Sequence, residues 1–214
     1  MHRLLGIANL PVRTILDVGA NEGQFARLLS SYFPQAAVYC FEPVPEAFSA
    51  LRSWATTQNR GIIPIECAIG EVEGSLEMFK HDAHTSSSSF LHTTATCERY
   101  YPQTKVQSGI RVKCHTLDSA VARFSISLKP SVLIKLDVQG YEDRVIQGGQ
   151  QTFLQASAVI LEVSLVPLYE SQATFAGIVK RMDELGFDYA GSLDQPCNSE
   201  GVLPFIDAVF VKRK

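Results

Sequence analysis

Residues 15–29 read ILDVGANEGQFARLL, and this stretch decides the fold. The apolar run Ile15 to Val18 has strand length, the residues from Gln24 onward have helical period, and Gly19, Asn21 and Gly23 crowd the junction. Gly19 permits close backbone approach, Asn21 tolerates a left-handed conformation, and Gly23 lets a helix begin tightly against the strand. A helix starting there points its free N–H groups at whatever occupies the bend. A dinucleotide pyrophosphate calls for G-x-G-x-x-G, a spacing this bend lacks. What remains, lined by Gly19, Ala20 and Asn21, suits a smaller polar group such as a zwitterionic amino-acid tail, its ammonium held near Asp17.

Working outward, strand-length apolar runs alternate with helical segments, the signature of β-α units on a parallel sheet. TILDVG, AVYCFEP and IIPIECAIG read as the first three strands, with helices GQFARLLSSYF and PEAFSALRSWATTQ between them. The rhythm breaks from Glu71 to Pro130, where EGSLEMFKHD and GIRVKCHTL look like strands flanking the polar stretch HTSSSSFLHTT. It resumes with SVLIKLDV, a helix YEDRVIQGGQQTFL, strand SAVILEVSL and helix TFAGIVKRMDELG closed by Gly186. FDYAGSL and DAVFVKR follow, read as antiparallel neighbours joined by a short loop. The architecture expected is one α/β domain over residues 1–214, a doubly wound, mostly parallel sheet with an antiparallel hairpin at its end and a variable insertion around 71–130. Ligands in such sheets bind at the carboxyl ends of the strands.

Glu42 stands nineteen positions after Gly23, at the end of the second strand. An acid at that place accepts the ribose hydroxyls of an adenosine in nucleoside-binding α/β folds. Pro43 and Val44 would then form an apolar shelf under the base, with Cys67 and Ala68, at the end of the third strand, facing its edge. IKLDVQGYE supplies a second polar cluster. The strand period puts Lys135 and Asp137 on one face, with Asp137 near the carboxyl end and hence close to the glycine bend. Glu142 fits the first turn of a helix on dipole grounds alone, and Glu162 in ILEVSL reads either as a substrate-side carboxylate or as a strand-end acid with a structural partner.

At this point several separate motifs agree. DVGANEGQFA, FEPVPEAF, CAIGEVEG, HTLDS, IKLDVQGYEDRVIQGG and ILEVSL resemble, in order and spacing, the FkbM family of S-adenosylmethionine-dependent methyltransferases, from about Thr14 to Val166. The resemblance implies a class I methyltransferase (Rossmann-like) fold of seven strands and O-methylation of a hydroxyl on a sugar, glycan or natural product. It also implies that Asp17, Gly19, Asn21, Gly23 and Glu42 bind the cofactor. Gln139 departs from the glutamate that many members carry there. An alcohol acceptor loses its proton in the reaction, so a base within hydrogen-bond reach helps. Asp137 is the first candidate, with Lys135 orienting it, and His115 in KCHTLD the second.

Other classes fit less well. His81, Asp82, His84 and His92 lie close in sequence but match no zinc spacing, so no metal is expected. A net charge of -3 argues against a large nucleic-acid footprint, leaving a small-molecule or glycan acceptor as the partner. Five cysteines without C-x-x-C spacing read as reduced thiols of a cytoplasmic protein. The opening MHRLLGIANLP is too short for a membrane span and a poor signal peptide. The pattern permits an oligomer through the hairpin edge. The competing functions are a methyltransferase of a non-sugar metabolite, a non-catalytic cofactor-binding scaffold, and an NAD-dependent oxidoreductase, the last disfavoured by the missing glycine pattern.

Overall fold

In the computed structural model, which describes residues 4–58, 61–128, 130–198 and 200–213, the strands are β1 (Thr14–Val18), β2 (Ala37–Phe41), β3 (Ile62–Ile65), β4 (Ala68–Gly70), β5 (Gly74–Lys80), β6 (Ser108–Thr116), β7 (Val132–Leu136), β8 (Ala158–Ser164), β9 (Phe187–Ser192) and β10 (Phe205–Lys212). The helices are α1 (Gln24–Tyr32), α2 (Pro45–Thr56), α3 (Ala95–Tyr100), α4 (Leu117–Arg123), α5 (Glu142–Gly148), α6 (Gln150–Gln155) and α7 (Phe175–Glu184).

Seven strands form the main sheet in the order β3-β2-β1-β7-β8-β10-β9. All neighbours from β3 through β8 pair in parallel, and β10 runs antiparallel to both β8 and β9. The central strands β1 and β7 are buried at every position, which is why they read as unbroken apolar runs rather than alternating ones. Leu16, Val18, Ile134 and Leu136 face one layer of core, and Ile15 and Leu133 the other. Each such fully buried Leu or Ile contributes about 1.5–3 kcal/mol. This central pair holds the bend and Asp137 side by side.

Three readings of the sequence need correction. IIPIECAIG is two strands, because the chain turns sharply after Ile65, where the Cys67 amide donates to the Ile65 carbonyl at 3.0 Å. Ala68–Gly70 then joins β5 and β6 in a separate three-stranded sheet. The helix expected over residues 141–154 is two short helices, α5 and α6, broken at Gly148 and Gly149. A side chain at Gly148 would lie 2.1 Å from the Gly70 carbonyl oxygen, so the break lets the helix pair pack against the second sheet. The connection between β9 and β10, residues 193–204, is longer than a hairpin loop, although the antiparallel pairing is as expected.

Cys40, Cys67, Cys97 and Cys114 are free and buried, and Cys197 is free and exposed. Among the described residues no helix is long and apolar enough to cross a membrane.

Candidate active site

The bend after β1 has the backbone that its residue types suggested. Gly19, Asn21 and Gly23 all adopt positive φ, at 77°, 47° and 90°. At Gly19 a Cβ would stand 1.8 Å from the carbonyl oxygen of Asp137, so only glycine lets the ends of β1 and β7 come this close. Glu42, almost fully buried, ties the bend to the end of β2. Its Oε2 accepts the Asn21 amide at 2.7 Å and its Oε1 the Val44 amide at 2.8 Å. A carboxylate has about four lone-pair sites, so each oxygen keeps capacity for another donor. Burial pushes the Glu42 carboxyl up to about 7, against the two backbone hydrogen bonds that pull it down, with the charges of Asp137 and Asp17 adding to the rise.

Beside this carboxylate opens a cleft of about 540 Å³ whose walls include Gly19, Asn21, Pro43, Val44 and Ala68. The 71–130 insertion roofs it with Thr85, Ser88 and Phe90, and the Asn21 side-chain amide donates to the Thr85 hydroxyl at 3.1 Å. Four residues expected here lie elsewhere. Ala20 is buried in the core, and Gly23 packs beneath α2, where a Cβ would meet Leu51 at 2.9 Å and Trp54 at 3.0 Å. Cys67 faces a different groove, beside Tyr39 and Phe124, because the turn after Ile65 rotates it away. Asp17 lies under the bend, fully buried, opposite Lys135 in the strand register, and neither of its carboxylate oxygens has a hydrogen-bond partner among the described residues. Burial raises its carboxyl to about 6 although Lys135 pulls it down. Its position therefore suits electrostatic support of Lys135 and not contact with a ligand's ammonium.

Asp137 follows β7 and lines both this cleft and a second one of about 590 Å³. Its Oδ2 accepts from the Lys135 ammonium at 2.7 Å, and its Oδ1 from the Gln139 amide at 2.6 Å. Lys135 is 1% exposed, with its ammonium 4.3 Å from the centre of the Phe25 ring. Burial disfavours its charge, but Asp137 and Asp17 more than offset that and leave its pKa raised, so it stays an ammonium. The same Gln139 nitrogen donates to Glu162 at 2.9 Å, while the Gln139 side-chain carbonyl accepts from the Tyr169 hydroxyl at 2.7 Å. Two carboxylates on one side and a phenol on the other fix the orientation of the amide. The backbone of Gln139 has a φ of 54°, and its main-chain carbonyl accepts the Ser89 hydroxyl at 2.7 Å.

Sequence reasoning missed Tyr169 altogether, since it sits in a loop 32 positions beyond Asp137 with no motif around it. Glu142 is buried and accepts from the Val138 and Gly140 amides at 3.1 and 3.3 Å, pinning the loop that carries Asp137.

His115 is not part of this site. It closes β6 on the far side, where its Nδ1 lies 2.7 Å from Glu73 and it borders the Cys67 groove. The β-strand alternation that makes Cys114 a core residue turns His115 outward. Its replacement by alanine removes one partly exposed hydrogen bond to Glu73, of a kind worth about 0.5–1.5 kcal/mol. His115→Ala is expected to leave activity at this site within about twofold of the unaltered chain, measured as initial rate. The other histidines among the described residues do not converge either. His81 is buried, His84 pairs with Ser87, and His92 stacks on Phe79 at 3.8 Å. Among the described residues no group of three or more His, Cys, Asp or Glu is placed to hold a metal ion.

The glycine bend, the acid at the end of β2 and the polar cluster after β7 thus stand together at one end of a 3-2-1-7-8-10-9 sheet. The Methyltransferase FkbM domain matches residues 17–189. The chain belongs to the FkbM methyltransferase family. It is 28% identical over 185 residues to the 2-O-methyltransferase NoeI of Sinorhizobium fredii, an alignment covering 84% of this chain and 75% of that protein. Among solved structures it resembles the methyltransferase FkbM of Methylobacillus flagellatus, with TM-score 0.56 and 12% identity over 94% of this chain and 44% of that one. It also resembles the magnesium protoporphyrin IX methyltransferase of Synechocystis, solved with bound SAM, with TM-score 0.52 and 15% identity over 98% of this chain and 74% of that one. These structural likenesses show the fold.

An FkbM methyltransferase uses S-adenosylmethionine, and the residues of the first cleft fit that cofactor. Gly19 leaves bare backbone beside the bend, Glu42 is a buried carboxylate with spare acceptor capacity, and Pro43, Val44 and Phe90 supply the apolar walls a purine needs.

Proposed function

We propose that this methyltransferase acts on a hydroxyl group of a sugar, glycan or glycosylated natural product, with the cofactor in the first cleft and the acceptor in the second. The observation that carries this reading is that Asp137, a carboxylate with a fixed orientation, lines both clefts. S-adenosylmethionine, when bound, supplies a methyl group already activated by its sulfonium. The chain's own part is to align and to handle the proton. Glu42 accepts the ribose hydroxyls, Pro43 and Val44 seat the base, and the bend at Gly19 and Asn21 receives the amino-acid tail. Asp137 accepts the acceptor's hydroxyl proton, with Lys135 holding its Oδ2 and Gln139 its Oδ1. Alignment of this kind supplies roughly 7–11 kcal/mol in favourable cases, and a positioned base adds about 10²–10⁴-fold. Residues 71–130 act as the acceptor-side insertion of a single domain, since they contribute walls to both clefts, Cys97 and Tyr101 among them.

The test is incubation with methyl-labelled S-adenosylmethionine and fractionated cell extract, followed by mild alkali. An ether of a sugar hydroxyl keeps its label. Release of the label as methanol would mark a carboxyl ester and overturn the hydroxyl assignment.

Glu42 also sets a pH dependence. Ribose hydroxyls donate to a carboxylate, so the cofactor binds the deprotonated form, and this carboxyl is raised by burial to about 7. Affinity for S-adenosylhomocysteine is therefore expected to tighten as pH rises, by about tenfold between pH 6 and 8. Glu42→Gln should abolish that dependence and weaken binding by about 1.5–3 kcal/mol, the worth of hydrogen bonds to a charged group. Calorimetric titration at the two pH values checks both.

A further inference from the structure

The second cleft is lined by two acids, Asp137 and Glu162. Asp137 is neutralised by Lys135, but Glu162, half-buried in the same cleft, has no ion-pair partner among the described residues and accepts one hydrogen bond, from Gln139. None of the residues lining the cleft is Lys or Arg, and the histidine among them, His84, is engaged at Nδ1 by the hydroxyls of Ser87 and Ser86 at 2.8 and 3.1 Å. The cation on the adjoining helix α3, Arg99, is turned away to Glu200 at 2.7 Å. Three aromatic side chains, Tyr101, Tyr169 and Phe205, share the cleft with Glu162. The Tyr169 hydroxyl lies 2.7 Å from the Gln139 side-chain carbonyl and 3.0 Å from the Ser87 carbonyl, which orients its ring. A carboxyl without a counter-charge of its own ionises when an ammonium is seated on it, so among aromatic side chains it favours an amine by the ion pair that forms and by the ring quadrupoles. The same setting offers no Lys or Arg to a carboxylate or phosphate.

We infer that the acceptor is an amine-bearing hydroxyl compound of the amino-sugar class, its ammonium seated on Glu162 beside the aromatic rings. The inference rests on the second cleft being the acceptor site, as proposed above. Burial together with the charges of Asp137 and Glu142 pushes the Glu162 carboxyl well above the usual range against the pull of Lys135, which is the state a bound cation relieves. The Asp207 carboxyl, paired with Glu162 across β8 and β10, is raised to about 6 chiefly by burial, so β10 brings no compensating cation to that position. Glu162 is thus a specificity-determining residue, and Asp137 keeps the proton.

The experiment saturates the protein with S-adenosylhomocysteine and follows sugar binding by ligand-observed NMR. Three probes share one ring: methyl glucosaminide, its N-acetyl counterpart, which has lost the charge, and methyl glucuronide. The amine is expected to bind about tenfold or more tightly than the N-acetyl compound, with the glucuronide weakest. Glu162→Gln should erase the preference while S-adenosylhomocysteine still binds. Tyr101→Leu, which leaves the acid in place, should reduce the preference severalfold. Equal or tighter binding of the N-acetyl compound or the glucuronide, a preference that survives Glu162→Gln, or no binding of the amine at millimolar concentration would overturn the inference. Failure to saturate with S-adenosylhomocysteine, visible before any sugar is added, would instead overturn the assignment of the clefts on which it rests.

Discussion

Asp137→Asn is expected to lower kcat for methyl transfer by about 10²–10⁴-fold, the usual worth of a positioned general base. Affinity for S-adenosylhomocysteine should stay within about threefold, because Glu42 and the bend hold most of the cofactor. The substitution also disturbs Lys135, which is 1% exposed and would keep Asp17 and, more weakly, Glu162 as counter-charges. Breaking a buried ion pair costs about 3–5 kcal/mol, but Asp137 is 26% exposed at its side chain, so the lower end applies. At about 2–4 °C per kcal/mol for a chain of this size, a fall in Tm of roughly 6–12 °C is expected. Rates measured well below that temperature separate lost chemistry from lost fold. Undiminished transfer by a folded Asp137→Asn protein would move the base to Glu162, which shares the Gln139 amide with Asp137.

Gly19→Ala is expected to disrupt the cofactor site through a single added methyl group. The added carbon would lie 1.8 Å from the Asp137 carbonyl oxygen, and the backbone at that site has a φ of 77°. Relief requires β1 and β7 to part at their carboxyl ends, where the Asp137 amide donates to the Val18 carbonyl at 3.0 Å. Strain at positive φ and overpacking cost about 1–3 kcal/mol each. A loss of about 3 kcal/mol, or roughly 9 °C in Tm, is therefore expected together with loss of detectable S-adenosylhomocysteine binding. Thermal unfolding and calorimetry read the two effects separately. A variant that binds the cofactor normally would show that the tight approach of these strands is not needed for the site.

The parts of the candidate site that were legible are those in which one residue's local conformation or strand position decides its place. Gly19 and Asn21 were readable because a bend between a strand and a helix leaves few residue types for positive φ. Glu42 was readable because the parallel register aligns the ends of β1 and β2. Lys135 and Asp137 were readable because charges in a buried strand need partners, and the ion pair of 2.7 Å supplies one. Direction after a strand end was not readable. Cys67 and Ala68 are neighbours in sequence, yet one turn after Ile65 sends Ala68 to the cleft and Cys67 to another groove. His115 illustrates the same limit, since an imidazole near an acid looks alike on either side of a sheet. For Asp17 the pattern located the residue but not its depth beneath the bend.

By itself, then, the sequence determined the succession of main-sheet strands and the helical segments between them, the glycine bend, the acid beyond β2 and the charged end of β7. These follow from periodicity and backbone sterics, which act over a few residues at a time. Only the tertiary structure decided which polar groups meet. Gln139 reaches Asp137, Glu162 and Tyr169 at once because β7, β8 and the loop after β8 converge there. The second cleft exists because the 71–130 insertion and the start of β10 close around that junction. Contacts between segments so far apart in the chain depend on packing, and no local pattern encodes them.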